Sequence, residues 1–415
     1  MHVMLCYSIY PPIQAGGAEL IVSYLAEGLA QRGHQVTVVS TCGPQMEPYP
    51  TELRNGVEVI RFFPKNRYWL FEREGRRGLD KLRWHLKDLW NRASGRRLRE
   101  IMRDKKPSVV HTHGVEGFSP ALWHSARSLG IPVVHTAHDY YMICPRALLL
   151  TKRLALCSQP MLACRARAGW YLRRASAIDL FCSPSQFLLD RHLIAGLPVT
   201  RHAVVPNGIP TVARPPRAAP REAGRPLELL FAGRLTAEKG VRVAIDAMRH
   251  LPADARVRLT VAGKGYLESE VRAASEQDPR ICFAGYLSGE DKLRAFSAAD
   301  CLLLPSLWYE NAPVVVLEAA AYRLPVIGSR LGAIPEFVQD GVNGLLFEPG
   351  NVRSLAEAVL RLSRDEALRA ALATGGAPLI VKHSVAGMVD RYAAHYAELV
   401  GSYNRSAENV SHASI

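Results

Sequence analysis

Two glutamates eight residues apart carry the clearest chemistry in this sequence. Glu310 and Glu318 are the first and last residues of the segment ENAPVVVLE (310–318). A carboxylate accepts hydrogen bonds from neighbouring hydroxyls, so two carboxylates can hold the hydroxyl groups of two sugar rings. We place Pro313 at the first position of a helix, whose unpaired amide groups suit a phosphate or a sugar. Taken singly, each glutamate would be an ordinary surface or ion-pair residue.

The segment GRLTAEKG (233–240) supplies positive charge. Arg234 offers a planar fork of donors and Lys239 a point charge, and both suit a diphosphate. The segment joins a predicted strand to a predicted helix, where phosphates often bind; the alternative is a charged surface turn. No Asp-x-Asp occurs, so we expect these cations and helix N-termini to neutralise phosphates, without a metal.

Two glycine pairs could let a backbone approach a ligand. Gly16-Gly17 follows the first predicted strand and opens a helix, and Gly263-Lys264-Gly265 follows a later strand. Each fits either an anion at a helix start or a simple turn. Neither forms the G-x-G-x-x-G pattern of dinucleotide-binding proteins.

Four histidines lie at the ends of two apolar strands. His111 and His113 belong to VVHTHG (109–114), and His135 and His138 to VVHTAHD (133–139). Such a cluster suggests a metal site, but few carboxylates lie nearby and hydrogen-bonded histidines are the commoner case. His138 stands just past a strand end, where α/β sheets bind ligands.

Strands and helices alternate along the chain, which predicts parallel sheets covered by helices on both faces. Single long helices are expected over 79–103 and 354–373. The alternation of strands and helices is interrupted near residues 206–210. A linker is expected over 213–226, and the alternation resumes after it. We therefore predict an α/β protein of two Rossmann-like domains. The predicted domains are residues 1–206, with a C-terminal helix of about 385–400 packing back on them, and residues 207–384; residues 401–415 form a polar tail.

The composition describes a globular protein. The chain has 415 residues, 48% of them hydrophobic and 22% charged. No apolar run approaches the ~18 residues of a spanning helix. The N-terminus lacks the features of a signal peptide, so we expect a cytoplasmic protein. The eight cysteines are then expected to be thiols; Cys144, Cys157 and Cys164 leave open a metal or a disulfide, without a clear fourth ligand.

Most of the net charge of +14 lies in one segment. Residues 61–106 contain sixteen Lys and Arg against six Asp and Glu. Leu79, Leu82, Leu86, Leu89 and Trp90 recur there at helical spacing, and burial of this stripe is the default expectation. An exposed stripe would bind an anionic membrane. A nucleic-acid partner is not expected, because no recognition module is present.

Together these motifs resemble the retaining family-4, or group 1, glycosyltransferases, which have the GT-B fold of two Rossmann-like domains facing across a cleft. The most specific part is Glu310 and Glu318 with LPVI (324–327) and GAIPE (332–336). The segments 233–240, PNG (206–208) and DGVNGLL (340–346) add to it. One departure is Pro313, where many members have glycine, so one backbone amide is missing.

The resemblance implies a UDP- or GDP-sugar donor, a glycan or lipid-linked acceptor, retention of anomeric configuration and no cofactor. It implies that Arg234 and Lys239 contact the diphosphate, Glu310 the donor sugar, Glu318 the ribose and His138 the transferred sugar. The remaining nucleotide-sugar-binding residues implied are Gly16, Gly17, Gly263, Leu287, Asn311, Ala312, Val314 and Val315. Many resembling enzymes act at the inner membrane face, which suggests that residues 61–106 associate with it.

Two other functions compete with this hypothesis. A nicotinamide-dependent oxidoreductase would use the same type of fold, but the missing G-x-G-x-x-G argues against it. A catalytically dead sugar- or lipid-binding protein would share the scaffold, but the charged residues named above are all present.

Overall fold

A computed structural model describes residues 1–13, 16–47, 49–72, 75–210 and 224–412, with the backbone alone for 406–412. The chain forms two compact units. The first unit comprises Met1–Leu148, Ser158–Gly208 and the chain from Val385 onward; the second comprises Leu149–Cys157 and Ile209–Ser384.

The first unit is built on a sheet of short strands. Its strands in the described residues are β1 (His2–Cys6), β2 (Gln35–Thr41), β3 (Glu52–Arg54), β4 (Val57–Phe62), β5 (Val109–Thr112), β6 (Val133–Thr136), β7 (Leu180–Ser183) and β8 (His202–Val204). Of these, β1, β5, β6 and β7 are wholly buried. Their order in the sheet is β3-β4-β2-β1-β5-β6-β7-β8. All pairs are parallel except β3 with β4.

Helices connect these strands. They are α1 (Ala18–Gln31), α2 (Gly78–Leu89), α3 (Arg92–Lys105), α4 (Ala121–Arg127), α5 (Leu162–Arg174) and α6 (Gln186–Ile194). Because these strands, β3 excepted, are parallel, their carboxyl ends share one edge of the sheet. His111 and His135 lie in β5 and β6, and His113 and His138 lie in the loops that follow them.

The second unit has a smaller, wholly parallel sheet. In the part of the chain described, its strands are β9 (Leu227–Ala232), β10 (Val257–Ala262), β11 (Ile281–Gly285), β12 (Cys301–Leu304), β13 (Val326–Ser329) and β14 (Gly344–Phe347). Their order is β11-β10-β9-β12-β13-β14. The sequence order reverses beside β9, so the loops after β9 and β12 are neighbours at a switch point where α/β sheets bind ligands.

The helices of this unit cover the sheet. They are α7 (Val241–His250), α8 (Glu268–Gln277), α9 (Gly289–Ala298), α10 (Val314–Ala321), α11 (Ile334–Phe337), α12 (Val352–Arg364), α13 (Glu366–Gly375) and α14 (Ala377–Lys382). A buried core of apolar side chains from β9, β10, α7 and α12 lies between them.

The last helix, α15 (Val385–His412), returns to the first unit. It packs against α1 where Gly28 leaves room: a Cβ on Gly28 would lie 2.6 Å from Val389. Its Tyr392 and Tyr396 are buried and reach the strands β5 and β6.

The predicted fold class, α/β with two parallel-sheet domains, is confirmed, but several elements differ from expectation. The helix predicted over 79–103 is two helices, because Asn91 caps the start of α3 by accepting a hydrogen bond from Ser94. Asp365 likewise divides the helix predicted over 354–373. The polar tail expected over 401–415 is helical to His412, and most of the linker expected over 213–226 lies outside the described residues.

Across the described residues, no helix is long and apolar enough to cross a membrane.

Candidate active site

The loops after β9 and β12 are joined backbone to backbone. The amide of Leu307 donates to the carbonyl of Glu238 at 2.8 Å. Gly240 has a positive φ of 74°, and a Cβ there would lie 1.8 Å from the carbonyl oxygen of Pro305. Only glycine fits this approach. The junction brings Lys239 of one loop beside the predicted carboxylate, Glu310, of the other.

Glu310 is the centre of this junction. It is 4% exposed. Its Oε1 accepts hydrogen bonds from Lys239 Nζ at 2.7 Å, Ser306 Oγ at 2.6 Å and Trp308 Nε1 at 2.9 Å. Among the described contacts, none falls on Oε2. Since a carboxylate has acceptor sites on both oxygens, Oε2 keeps its capacity for a hydroxyl group.

The surroundings of Glu310 also settle its charge. Burial raises the pKa of its carboxyl, but Lys239 and the Ser306 and Trp308 donors outweigh burial and hold the pKa below its ordinary value. Glu310 is therefore ionised at neutral pH and accepts hydrogen bonds, as a group that holds sugar hydroxyls must.

The two predicted cations of segment 233–240 have different surroundings. The Lys239 side chain is 19% exposed and is paired with Glu310, and its ammonium lies 4.9 Å from the centre of the Trp308 ring. The Arg234 side chain is 53% exposed and lies 3.5 Å from Glu238. Arg234 thus presents its guanidinium outward, where it can meet an anion.

Helix α10 starts just after Glu310. Pro313 is its N-cap, not its first helical residue as predicted, because its ψ of 97° is extended. The amides of Val314 and Val315 open the helix and have no carbonyl one turn earlier to receive them. Asn311 is buried and Ala312 half-buried before this end. On the same helix, Glu318 pairs with Lys292 of α9 at 2.6 Å.

Gly263 and Leu287 follow β10 and β11 at the same edge of the sheet. A Cβ on Gly263 would lie 1.8 Å from the carbonyl oxygen of Gly233. Packing of the two loops therefore suffices to explain this glycine, without a ligand. Leu287 is half-buried, and its neighbour Tyr286 is exposed, with Lys264 Nζ 4.8 Å from its ring centre.

In the first unit, Gly16 and Gly17 precede α1. Gly17 is the N-cap, and the amide of Gly16 donates to Oε1 of the buried Glu19 at 2.6 Å. Among the described residues, the atom nearest to a Cβ on Gly16 is Glu19 Oε2, at 3.8 Å. Unlike Gly240 and Gly263, Gly16 is therefore not required by packing against the described residues.

The histidines form a buried hydrogen-bonded network. His111 bonds to Tyr396 at 2.5 Å and to Thr136 at 2.7 Å, and His135 bonds to Thr112 at 2.7 Å. His113 Nδ1 lies 3.0 Å from His138 Nε2.

Burial lowers the pKa of His138 to about 4, so this side chain is neutral at pH 7 and can share only hydrogen bonds. Among the described residues, no cluster of three or more His, Cys, Asp or Glu could hold a metal.

Comparison with known proteins identifies the family. Residues 15–212 match the family model "Glycosyltransferase Family 4" and residues 226–365 match "Glycosyl transferases group 1". The chain is 32% identical to a glycogen synthase of Mycobacterium tuberculosis over 380 residues, covering 88% of this chain and 87% of that protein.

The chain belongs to the group 1 glycosyltransferases of family 4. An uncharacterised 42.6 kDa protein from the cps region of Klebsiella pneumoniae is 31% identical, over 81% of this chain and 87% of its own length. The structure of Anabaena HepE in complex with UDP shares the fold, with a TM-score of 0.71 and 18% identity over 96% of this chain and 100% of that chain.

The predicted family, the GT-B fold and the enzyme class of glycosyltransferase are thereby confirmed. The comparisons favour neither an oxidoreductase nor a dead binding protein. The roles of individual site residues remain predictions, although the structure brings Arg234, Lys239 and Glu310 of this glycosyltransferase into one region.

Three residues of that region were not predicted from the sequence. Ser306 and Trp308 lie four and two residues before Glu310, and the presence of two side-chain donors so close to a carboxylate is the one local signal. Lys292 carried no such signal, because it is 26 residues from Glu318 and only the fold joins them.

Proposed function

We propose that this glycosyltransferase moves a sugar from a UDP- or GDP-sugar to a lipid-linked or polysaccharide acceptor, with retention of anomeric configuration. The observation that carries the proposal is Glu310, a buried, ionised carboxylate whose three donors all use one oxygen. Arg234, on the same loop as the donor Lys239, is half-exposed. Glu310 Oε2 then accepts hydrogen bonds from hydroxyl groups of the donor sugar, and Arg234 binds the diphosphate.

Residues of the second unit stabilise the negative charge of the leaving diphosphate. As the bond between the anomeric carbon and the phosphate oxygen breaks, negative charge grows on the diphosphate. Arg234 and the amides of Val314 and Val315 stabilise that charge, which is how preorganised donors speed a reaction. Glu318, whose carboxylate is paired with Lys292, accepts hydrogen bonds from the ribose hydroxyls.

The acceptor hydroxyl attacks the anomeric carbon from the face that the diphosphate leaves. Its proton passes to the departing phosphate oxygen, so the new glycosidic bond keeps the donor's configuration. In the first unit, we assign neutral His138 to a hydroxyl of the transferred sugar, and the start of α1 at Gly16 and Gly17 to phosphate.

We propose further that this chemistry needs no metal. Glu310 is paired with Lys239, and Glu318 is paired with Lys292. Among the described residues, no group of three or more carboxylates is placed to bind one metal ion. The diphosphate charge falls to Arg234 and helix amides instead.

A ligand panel followed by variants tests the proposal. Thermal shifts with UDP, GDP, ADP, dTDP, their sugars and NAD(P)H identify the donor, and release of the nucleoside diphosphate measures its use. We expect Glu310→Gln to lower turnover about 10²–10³-fold, the size seen when one transition-state contact is lost. The affinity of the Glu310→Gln variant for the nucleoside diphosphate should equal that of the wild type. EDTA should leave the wild-type rate unchanged.

The matched control is Glu290→Gln, which breaks an exposed pair with Arg294 on α9. A shift with NAD(P)H alone, or full turnover in Glu310→Gln, would overturn the assignment.

We also propose that this glycosyltransferase binds an anionic membrane face through residues 61–106. The support is α2, where Leu79, Leu82 and Leu86 are 69%, 55% and 58% exposed. These three residues, here called the leucine face, occupy positions i, i+3 and i+7 of the helix. Arg83 and Lys87 are exposed beside them. Apolar side chains flanked by cations suit acidic lipid headgroups, where a lipid-linked acceptor would lie.

A further inference from the structure

Trp308 touches both of the charged residues at the centre of the candidate site. Its indole N–H donates to Glu310 Oε1 at 2.9 Å, and its ring centre lies 4.9 Å from Lys239 Nζ. The side chain is 7% exposed. An ammonium over an indole face is attracted by the ring's electron density, and more strongly where water is excluded.

The backbone around Trp308 is fixed by the neighbouring loop. Leu307 bonds to Glu238, and the chain then turns so that Ser306 and Trp308 both face Glu310. Ser306 is fully buried. Two of the three donors to Glu310 Oε1 thus come from one short loop, and the third comes from Lys239 on the loop after β9.

The convergence has a geometric consequence. Three donors on one oxygen prevent the carboxylate from turning, because rotation would break all three bonds at once. Oε2 is therefore held in one direction. If the indole N–H were removed, the carboxylate would gain freedom and its ionised form would lose a stabilising donor.

We infer that Trp308 is a positioning residue of the glycosyl-transfer reaction: its N–H and its ring fix the Glu310–Lys239 pair so that Glu310 Oε2 meets the donor sugar. This inference rests on the proposed function. It gives Trp308, two residues before the Glu310–Glu318 motif, a role that is separate from substrate contact.

The test is Trp308→Phe, which keeps an aromatic ring beside Lys239 but removes the N–H donor. Two readouts are taken. The first is turnover with the donor from the panel, alongside the affinity for its nucleoside diphosphate. The second is the pKa of Glu310, measured by carbon-13 NMR of glutamate carboxyl groups, with Glu310→Gln identifying the resonance.

We expect Trp308→Phe to lower kcat at least tenfold while the nucleoside diphosphate still binds with the wild-type affinity. The pKa of Glu310 should rise, so the acid limb of the pH–rate profile should move to higher pH. The matched control is Trp170→Phe, since Trp170 is half-buried and donates its N–H to the carbonyl of Leu89 at 3.0 Å. It should leave both readouts unchanged.

An unchanged pKa of Glu310 in Trp308→Phe would overturn the inference, whatever the rates. If the wild-type protein turns over no donor, the proposed function fails, and the NMR titration still decides whether Trp308 positions Glu310.

If Trp308→Phe does not fold, the wild-type indole N–H signals provide the measurement. One of the six tryptophan signals should shift as Glu310 titrates, and should stop shifting in Glu310→Gln. If none of the indole signals shifts as Glu310 titrates, the hydrogen bond between Trp308 and Glu310 is refuted.

Discussion

Two buried carboxylates of this protein have opposite pKa shifts because their partners differ. Glu310 faces the ammonium of Lys239 and is held in its ionised form. Asp88, fully buried in α2, accepts hydrogen bonds from Tyr141, Tyr171 and the amide of Gly117, all of them neutral. Burial raises the pKa of Asp88 to about 7, and the charge of Glu116 adds to the rise, while the tyrosine donors and the charge of Arg167 offset only part of it.

Asp88→Asn should change how the stability of the first unit depends on pH. Asp88 takes up a proton near pH 7 in the native state but only near pH 4 in the unfolded chain. Its contribution to the free energy of unfolding therefore rises as the pH falls from 7 to 4. The difference between the two pKa values corresponds to about 4 kcal/mol, at 1.36 kcal/mol per pKa unit. The asparagine side chain carries no charge at any pH, so the variant should be more stable than wild type at pH 8 and similar to it at pH 4.

Urea unfolding between pH 4 and pH 8 measures this, since five of the six tryptophans (Trp69, Trp84, Trp90, Trp123 and Trp170) report on the first unit. Asp80→Asn, on the same helix but partly exposed and paired with Arg67, is the control and should keep the wild-type pH slope. Parallel curves for Asp88→Asn and wild type would show that Asp88 does not titrate near neutrality.

The charged members of the candidate site were predictable from the sequence, and their arrangement was not. Arg234, Lys239 and Glu310 carry a motif, so residue type and spacing identify them. That Lys239 is engaged by Glu310 while Arg234 is half exposed depends on how the loop after β9 packs against Pro305. No local pattern encodes a contact between loops about 70 residues apart.

Helix α2 is a second case in which the sequence pattern does not determine which residues are buried. Its leucines recur at helical spacing, which normally marks the buried side. In the structure the helix is instead held by Trp84 and Asp88, which lie on the side of the helix opposite the leucine face. The expectation of burial was wrong for Leu79, Leu82 and Leu86, while Leu89 and Trp90 of the same stripe are half-buried. Periodicity identifies an apolar face but not the surface that covers it.

The leucine face predicts a lipid-binding phenotype. Replacing Leu79, Leu82 and Leu86 by Ser should weaken binding to phosphatidylglycerol vesicles at least tenfold, because each leucine contributes up to ~1.5–3 kcal/mol when it leaves water. Binding of the wild type should fall with salt, since Arg and Lys near an anionic surface contribute about 1 kcal/mol each. Co-sedimentation with vesicles measures both effects.

Three other exposed aliphatic residues of the first unit give the control: Leu53, Leu162 and Ile194, which are 79%, 80% and 74% exposed. Their triple Ser variant should bind vesicles as the wild type does. Equal loss in the two triple variants, or equal binding of phosphatidylcholine and phosphatidylglycerol, would argue against a specific docking helix.

Strands were the easiest elements to predict. The strands β4, β5, β9 and β10 coincide with short segments rich in β-branched and other apolar residues, which polar residues such as Glu58 and Arg258 interrupt. Helix α5 was missed, since its sequence LACRARAGWYLRR has four arginines and few buried positions. The break between α2 and α3 was missed because the chain turns at Trp90-Asn91 without Pro or Gly.

The assignment of chain segments to units does not follow sequence order. Leu149–Cys157 belongs to the second unit although both of its flanks belong to the first, and α15 returns to the first unit after the second is complete. Composition and periodicity give no sign of the short segment. Its membership depends on Leu154, which packs against the core of the second unit.

The folding of the first unit should therefore require the last part of the chain. Helix α15 buries Met388, Val389, Tyr392, Tyr396 and Leu399 almost completely. At ~1.5–3 kcal/mol each, these side chains contribute roughly 10 kcal/mol, which is comparable to the net stability of a whole domain. Tyr396 and Tyr392 also complete the hydrogen bonds of His111 and Thr136.

A chain ending at Ser384 should lose the cooperative unfolding transition that the five tryptophans of the first unit report. Trp308, the one tryptophan of the second unit, should keep its buried emission. A chain ending at Arg405 retains every α15 side chain named above, so it should unfold as the full chain does. If the chain ending at Ser384 kept the first-unit transition, α15 would be an accessory to that fold, and the segments that precede Ile209 would be sufficient for it.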